Sequence, residues 1–452
     1  MNSYLDWSSY KDAGMGDAYA DIPKTGGNFA KAVAVCIKSG LCETKPKGVM
    51  CPSFRVSDDK ALSTGARVRL LKRALNGELG QLPFVDQALA RTMDMCMGCK
   101  GCKRECENAV DMAMIKIEYL AQRHAIQSPP LRTRLFGNLA DHFEKLPWLR
   151  GLPVLHNRFK LIAKLNEWLF GITGRRSLPE PVETPLPYQS LHSDTPATGD
   201  NEVVLLLDTF TRQFQPQNAE AALQVLSQAG YHVFIATPSQ PDTHLCCGRT
   251  QLAHGLVAEA RAHAETMLAV LLPLVEAGRP VIGLEPACLL AVRDDYRFLG
   301  LGEGAEKVAA KAVLFEEFIA KEQQAKRLNL TLSPLDQEVL VHGHCHQKAV
   351  GAMKSMRKVL KLIPGLRFNL VESSCCGMAG SFGIEKEHCD MAMEMAELSL
   401  LPALREKPAA TVIANGFSCQ HQIREGCDHK PIHLAVLLRD VMASESTHGI
   451  AP

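Results

Sequence analysis

The chain has 452 residues, a length that predicts two to four folding units. Hydrophobic residues make up 46% and charged residues 22%, close to the globular average, which argues against a disordered chain or a membrane bundle. The formal net charge of +1 lacks the clustered basic excess of nucleic-acid-binding domains, so we expect no nucleic-acid partner.

The N-terminal 16 residues contain no basic cap followed by an apolar core and a small-residue cleavage site. This predicts a chain without a secretory signal that stays in the cytoplasm. The longest apolar stretches, such as residues 267–275, are far shorter than the roughly 20 residues that cross a bilayer, so no transmembrane helix is predicted.

The chain contains 16 cysteines, seven of them between Cys36 and Cys106 and the other nine from Cys246 onward. Because the cytosol keeps thiols reduced, this clustering favours metal binding over a disulfide framework. The gap between the two groups also divides the chain into regions.

Residues 1–125 are predicted to form a small helical domain, with helices at 60–76, ending at Gly77, and at 109–122, with Asn108 as N-cap. Residues 126–200 combine helical apolar spacing around Trp148 and Trp168 with a proline-rich stretch at 179–198 that is typical of a flexible linker. Within residues 126–176, nine Arg and Lys face three acidic residues, which makes this a basic segment.

From residue 201, short apolar runs alternate with longer helical stretches, which predicts strands and helices around a parallel sheet. The pattern occurs twice. Predicted strands at 203–207 and 339–341 each precede a Cys-Cys-Gly triplet, and later runs at 281–284 and 412–414 lead to single cysteines 41 and 43 residues past the cysteine pair. We interpret residues 201–330 and 331–452 as a duplicated unit.

The strongest motif is a C-x2-C-x2-C-x3-C run formed by Cys96, Cys99, Cys102 and Cys106. This spacing wraps three thiolates around one cubane cluster and sends the fourth to a second cluster. Zinc sites prefer cysteines in pairs, so zinc is the weaker alternative.

The partner motif is Cys36, Cys42 and Cys51, with Ser39 where a further cysteine is expected. Cross-ligation predicts a complete 4Fe-4S cluster on Cys51, Cys96, Cys99 and Cys102, and a second cluster on Cys36, Cys42 and Cys106 that is one cysteine short. Four alternatives stay open for the second cluster: an oxygen ligand from Ser39, another ligand, a three-iron cluster, or a vestigial half, because residues 43–50 depart from ferredoxin spacing.

The second repeat is predicted to bring four thiols together at one sheet edge, with imidazoles close by. Its cysteines are Cys345, Cys375, Cys376 and Cys419, and the histidines are His344, His346 and His421. A metal site is favoured here over an inert thiol cluster. The first repeat offers Cys246, Cys247 and Cys288 and is weaker, because residues 208–210 hold no cysteine to match Cys345. Cys389 and Cys427 are expected in the core.

These residues carry a family resemblance. Residues 50–53 and 63–64, the run from Cys96 to Cys106 and residues 110–112 resemble the iron-sulfur portion of FAD-dependent D-2-hydroxy-acid dehydrogenases, such as D-lactate and D-2-hydroxyglutarate dehydrogenases. Residues 343–348 and 375–380 extend the match. The chain is more distantly similar to the iron-sulfur subunits of glycolate oxidase and anaerobic glycerol-3-phosphate dehydrogenase, and to the cysteine-rich subunit of heterodisulfide reductase. Paired-cysteine sites hold iron-sulfur clusters in the last, but Glu285 and Gly416 stand here where its pattern has a cysteine.

The resemblance implies an α+β multidomain fold, with an N-terminal α-helical ferredoxin-like domain followed by a duplicated α/β cysteine-rich (CCG) domain. It implies an electron-transfer role for the iron-sulfur clusters, with an iron-sulfur cluster or zinc at the second repeat. We expect FAD on a partner subunit or in a larger parent chain, since the sequence begins about 35 residues before the first cluster cysteine and shows no dinucleotide fingerprint. The expected acceptor is a quinone, a cytochrome or a flavoprotein.

Two rival interpretations remain. The second repeat could act as a heterodisulfide-reductase-like thiol/disulfide redox site, in which Cys375 and Cys376 reduce the substrate. Alternatively, the chain could dock a flavoprotein peripherally on the inner face of the membrane through the basic segment, although a solvated basic helix face explains that segment more simply.

Overall fold

The computed structural model describes residues 2–15, 21–44, 48–240 and 243–443. The N-terminal part is helical, as predicted. Its α-helices are α1 (Gly27–Ala34), α2 (Pro52–Ser57), α3 (Thr64–Leu75), α4 (Gln87–Asp94), α5 (Gly101–Glu105) and α6 (Met112–Ile126), and its short 3-10 helices are Ser8–Tyr10, Leu41–Glu43, Lys60–Leu62 and Pro83–Val85.

Local capping explains where these helices begin. The predicted helix 60–76 is divided at Ser63, whose extended backbone breaks the helix and whose hydroxyl accepts from Ala66 N at 3.0 Å to start α3. The predicted cap at Asn108 is wrong. Ala109 has a positive φ of 49°, and Asp111 caps α6 by accepting from Met114 N at 3.3 Å.

The basic segment forms four short helices, and the proline-rich stretch after it is irregular but fixed in place. Val182 N and Leu186 N donate to carbonyls of residues 213 and 212, so the predicted flexible linker packs against the next unit. The helices are α7 (Leu131–Gly137), α8 (Leu139–Lys145), α9 (Gly151–Arg158) and α10 (Lys160–Phe170), with 3-10 helices at Pro147–Arg150 and Tyr188–Ser190.

The first α/β unit is a parallel sheet with the strand order β2-β1-β3-β4. The strands are β1 (Glu202–Leu206), β2 (His232–Ile235), β3 (Val281–Gly283) and β4 (Ala312–Leu314). Around them lie α11 (Thr209–Phe214), α12 (Pro216–Gln228), α13 (Arg249–Ala253), α14 (Val257–Glu276), α15 (Pro286–Leu290), α16 (Gly302–Lys311) and α17 (Phe315–Gln324), a π-helix at Ala291–Asp295 and a 3-10 helix at Tyr296–Phe298.

The second α/β unit is a smaller parallel sheet with the order β6-β5-β7. Its strands are β5 (Glu338–Val341), β6 (Arg367–Leu370) and β7 (Thr411–Ile413). Its helices are α18 (Cys345–Val350), α19 (Met353–Leu360), α20 (Cys389–Glu397), α21 (Leu400–Arg405), α22 (Phe417–Gly426) and α23 (Leu434–Asp440), with a 3-10 helix at Phe382–Ile384. The expectation of parallel strands alternating with helices is confirmed.

The helical N-terminal domain packs directly on the α/β units. Buried Lys100 places its Nζ 2.5 Å from Oδ1 of buried Asp295, and the ring centroids of Trp7 and Phe298 are 5.3 Å apart. A continuous hydrophobic core runs from the N-terminal helices into both sheets. In the described residues, no helix combines the length and apolar character needed to cross a bilayer.

Candidate metal centres

Three cysteines of the predicted complete cluster come together from separate helix ends. Cys51 is the N-cap of α2 with a positive φ of 55°, Cys96 follows α4, and Cys102 lies on α5. Burial, followed by the negative charges of Cys51 and Cys96, raises the pKa of the Cys102 thiol well above its usual value. Buried thiols that oppose one another's ionisation suit a shared cationic cluster, so this donor set fits iron-sulfur ligation.

The start of α3 points backbone N–H groups at two of the sulfurs. Thr64 N donates to Cys51 Sγ at 3.0 Å and Gly65 N donates to Cys42 Sγ at 3.3 Å. Arg67, which is 2% exposed, adds a longer contact from Nη1 to Cys51 Sγ at 3.8 Å. Donors at a helix N-terminus stabilise thiolate ligands and favour the reduced state of a cluster they hold.

The second, incomplete motif lies closer to solvent. Cys36, Cys42 and Cys106 are all half-buried, and Ser39 is exposed in the loop between the first two. Burial, and less strongly the charges of Cys51 and Cys36, raise the pKa of Cys42. Part of the stretched loop, residues 45–47, lies outside the described residues. A ligand role for Ser39 stays a prediction.

The second α/β unit gathers four thiols at the carboxyl ends of its strands. Cys345 begins α18 after β5, Cys375 and Cys376 follow β6, and Cys419 lies on α22 after β7. The sulfurs of Cys376 and Cys419 are 3.4 Å apart, and thiol hydrogen bonding joins Cys345 to Cys375 and Cys375 to Cys376. The predicted convergence is therefore present in the structure, whereas ligation of a metal by these thiols stays a prediction.

The imidazole at this site belongs to His342, which the sequence did not single out. One of its ring nitrogens lies within 4.8 Å of the sulfurs of Cys376 and Cys419, and Nδ1 pairs with Ser373 Oγ at 3.0 Å. Among the described residues, its buried Nε2 has no hydrogen-bond partner. The sequence feature that could have identified His342 is its position directly after β5, because parallel sheets place ligands at the carboxyl ends of their strands.

The three histidines that the sequence did single out have other partners. Nδ1 of His344 accepts from His346 N at 3.2 Å, which caps α18. The His346 ring contacts Gly98 O at 3.1 Å, and the His421 ring contacts Ser177 O at 3.1 Å. Each of these rings is thus oriented by a contact to the backbone, and a role for them at the metal site stays a prediction.

A positive charge lies beside the four thiols. The half-buried Lys348 donates its ammonium to Ser373 O at 2.6 Å and to Ser374 O at 3.2 Å. Burial lowers the pKa of Lys348, but thiolate charge at the four cysteines acts in the opposite direction. A cation beside four thiols favours the thiolate form that metals require.

The N-terminal motif and the second-unit site lie side by side. Burial and the charges of Cys345, Cys102 and Cys375 raise the pKa of Cys99, which places Cys99 between the two groups of sulfurs. Cys99 and Cys375 also share one hydrophobic cluster with Met97 and Phe382. The two groups of sulfurs are therefore neighbours in the fold.

The first α/β unit also brings its three cysteines together, but among acids. Cys246 and Cys247 are hydrogen-bonded, and Cys247 also pairs with Cys288. The hydrogen bond with Cys247 lowers the pKa of Cys288, but burial and the charges of Asp208 and Glu285 outweigh it and raise this pKa to about 12. Burial raises the pKa of Glu285 itself to about 8.

An apolar cavity of about 210 Å³ opens beside the second-unit thiols. Cys345, Cys375 and Cys376 lie at one side of it. The remaining wall is largely aromatic and aliphatic and comes from the basic segment and both α/β units: Phe136, Phe143, Phe210, Phe214 and Phe417. Such a lining suits a flat, apolar ligand.

Two family models match the chain. The 4Fe-4S dicluster domain matches residues 32–110, and the cysteine-rich domain matches residues 339–424. The first match covers the seven N-terminal cysteines and the second covers the four thiols of the second α/β unit, whereas the cysteines of the first α/β unit lie outside both. These two matches and the relatives described below support the iron-sulfur subunit family. The chain has a 4Fe-4S ferredoxin-like domain at its N-terminus and a cysteine-rich domain at its C-terminus, which support iron-sulfur clusters.

The chain resembles curated relatives that it matches over nearly their whole length, and others that it matches over less than half of their length. An anaerobic glycerol-3-phosphate dehydrogenase subunit of Escherichia coli (strain K12) is 26% identical over 90% of this chain and 98% of its own length. The probable glycolate oxidase iron-sulfur subunit of Bacillus subtilis (strain 168) is 23% identical over 91% of this chain and 94% of its own length. The D-2-hydroxyglutarate dehydrogenase of Escherichia coli (strain K12) is 24% identical over 86% of this chain, and the match spans only 42% of that enzyme.

Proposed function

We propose that this chain carries electrons from a FAD-dependent D-2-hydroxy-acid dehydrogenase, with the flavin on a partner subunit or in another part of a larger protein. The relatives named for D-2-hydroxyglutarate, glycolate and glycerol-3-phosphate oxidation support a flavoprotein partner. The observation that carries the proposal is the position of Cys99 beside Cys345 and Cys375, which supports one path through the two proposed metal sites.

We assign one 4Fe-4S cluster to Cys51, Cys96, Cys99 and Cys102, and a second cluster to Cys36, Cys42 and Cys106. A third centre, held by Cys345, Cys375, Cys376 and Cys419, takes His342 as a neighbour. Iron-sulfur clusters exchange one electron at a time, which divides the two electrons of a reduced flavin. The chain's residues hold these ligands, exclude water from Cys99 and Cys102, and supply the N–H donors and Lys348 that balance thiolate charge.

Duplication of the α/β unit accounts for the two cysteine-pair sites. In both units the glycine after the pair has a positive φ, 72° at Gly248 and 87° at Gly377. An added Cβ would meet the backbone of α14 at Ala260 O in the first unit and the backbone of α20 at Ala392 O in the second. The same unusual backbone at matching positions supports a common ancestral unit.

A Cys99→Ser variant tests the path. With the flavoprotein present, D-2-hydroxyglutarate should still bleach the flavin, but reduction of an added quinone should fall by at least tenfold, since the link between the two sites is altered. Cys427→Ser is the matched control, because Cys427 lies outside all three cysteine sites. Equal quinone reduction in both variants would contradict the path, and oxidation of the hydroxy acid by this chain alone would contradict the division of labour.

The apolar cavity beside Cys345 and Cys375 favours a quinone over a cytochrome or a flavoprotein as acceptor. A small planar quinone suits this aromatic-lined cavity beside the thiols, which a folded protein cannot enter. Phe417→Trp should fill the cavity and raise the KM for a soluble quinone while leaving reduction of the N-terminal clusters unchanged. A thiol/disulfide enzyme at the same site instead requires free thiols, so full iron occupancy at Cys375 and Cys376 would argue against it.

Peripheral membrane contact is a second candidate role, favoured by one exposed apolar face. Trp148 is 68% exposed, Leu161 82% and Trp168 79%, and the basic side chains of Arg158, Lys160 and Lys164 are exposed among them. Aromatic and basic residues on short helices are typical of interfacial binding to anionic lipid.

Flotation with phosphatidylglycerol vesicles tests this contact. Wild-type protein should float, and Trp168→Glu should float less. Leu398→Glu is the control, because Leu398 is 50% exposed on the second α/β unit. Equal flotation of both variants, or none of the wild type, would contradict a membrane role.

A further inference from the structure

Three side chains with metal-ligating atoms meet outside every cysteine site. Asp141 lies on α8, His244 precedes the first cysteine pair, and His263 lies on α14. Asp141 Oδ1 is 3.4 Å from His244 Nε2, and Oδ2 is 3.0 Å from His263 Nε2. The three elements come from the basic segment and from two separate parts of the first α/β unit.

The internal contacts of this group leave one imidazole nitrogen unsatisfied. His263 Nε2 hydrogen-bonds to Asp141, but His244 Nε2 does not reach the carboxylate in hydrogen-bonding geometry. Among the described residues this nitrogen has no partner, although it is buried and the His244 side chain is only 11% exposed. A buried polar atom left unpaired is costly, and a bound ion would satisfy it.

The spacing matches a small divalent ion. Zinc binds imidazole and carboxylate at about 2.0–2.2 Å, so neighbouring ligand atoms around a tetrahedral ion lie about 3.3 Å apart. The separations of 3.4 Å from His244 to Asp141 Oδ1 and 3.0 Å from His263 to Asp141 Oδ2 are close to that value, and one ligand atom from each of the three residues lies within 4.8 Å of the others. Two imidazoles and a carboxylate form a donor set of zinc and of other divalent transition ions.

We propose that Asp141, His244 and His263 form a zinc site, with a water molecule as the fourth ligand. Bound zinc would fasten α8 to the loop that carries Cys246 and to α14. The site differs from the cysteine centres because its protein ligands are nitrogen and oxygen only. The nearby Lys145 ammonium, 3.8 Å from Asp141 Oδ1, belongs to a side chain that is 75% exposed and can turn away into solvent.

Metal analysis of anaerobically purified full-length protein, with its clusters in place, tests the site. We expect about one zinc per chain in the wild type, loss of that zinc in Asp141→Asn and His244→Ala, and unchanged iron in both. His142→Ala is the matched control, because His142 neighbours Asp141 on the same helix and does not belong to the group; it should keep its zinc.

X-ray absorption at the zinc edge supplies the second measurement. It should show nitrogen and oxygen neighbours without sulfur, and added Zn²⁺ should slow amide exchange in α8 of the wild type but not of Asp141→Asn. Sulfur neighbours would place the zinc at cysteines and overturn the proposal. Retention of zinc by both site variants, or no binding of micromolar Zn²⁺ by the wild type, would overturn it as well. All readouts are independent of electron transfer.

Discussion

Gly377, which follows the second cysteine pair, should tolerate no side chain. Its φ is +87°, and a Cβ added there would lie 2.0 Å from Ala392 O at the start of α20. A non-glycine residue in this backbone region costs about 1–2 kcal/mol, and the clash requires a shift of more than about 1 Å that adds about 1–3 kcal/mol. We therefore expect Gly377→Ala to cost about 2–5 kcal/mol.

Gly380, three residues later, provides the matched control. Its φ is +57°, and an added Cβ there would meet no atom of the described residues within 4 Å. Gly380→Ala should carry only the backbone penalty of about 1–2 kcal/mol. The difference between the two variants therefore isolates the close approach of the cysteine loop to α20.

Hydrogen exchange in α20 and iron content measure both effects. Gly377→Ala should accelerate exchange at α20 amides by about tenfold or more relative to Gly380→Ala, since 1.4 kcal/mol corresponds to a factor of ten. It should also lose metal from Cys375 and Cys376 while the N-terminal clusters keep theirs. Indistinguishable exchange and iron content in the two variants would refute the reasoning.

Three further changes follow from buried charges and imidazoles. Asp295→Asn leaves the Lys100 ammonium buried without its partner, which should destabilise the contact to α5 by about 3–5 kcal/mol and speed amide exchange in α5 at least about 100-fold. A Lys100→Met, Asp295→Leu double variant should recover most of the lost stability. Unchanged exchange in Asp295→Asn would contradict this role of the ion pair. Glu285 has a pKa of about 8 in the folded chain against 4.5 as a free group, so stability should fall as pH rises from 4.5 to 8. In Glu285→Gln, the urea midpoint of unfolding should depend less on pH over this range. The same pH dependence of the midpoint in wild type and variant would refute the effect. His342→Asn should change the EPR signal of the second-unit centre and leave the N-terminal signals unchanged, whereas His421→Asn should alter neither.

Much of the fold could be predicted from local pattern. The apolar runs at 203–207 and 339–341 became β1 and β5, because fully buried parallel strands require uninterrupted hydrophobic residues. Parallel strands bring their carboxyl ends to one edge, which is why Cys345, Cys375, Cys376 and Cys419 meet. The error at Asn108 has a local cause, since either Asn108 or Asp111 can cap a helix and only the backbone at Ala109 decides between them.

The parts that the sequence could not predict depend on tertiary packing. Nothing local shows that Cys99 will lie beside Cys345, since that contact is set by how the N-terminal domain docks through Lys100 and Trp7. Helical spacing of apolar residues around Trp148 and Trp168 predicts helices, but not that Trp168 is exposed. His342 had no motif around it, and only the turn after β5 directs its ring toward Cys376 and Cys419.

The two cysteine-pair sites share a topology and differ in charge, and this difference decides which of them suits a cluster. Around the second-unit thiols, Lys348 and Arg249 favour thiolates. Around Cys288, Asp208 and Glu285 disfavour them, and burial raises the pKa of both carboxyls as well. At the first site each thiolate and the two buried carboxyls oppose one another's ionisation, whereas at the second site a thiolate pairs with a cation already present. Added negative charge is therefore less favourable at the first site, so the path from Cys99 should continue through the second unit rather than the first.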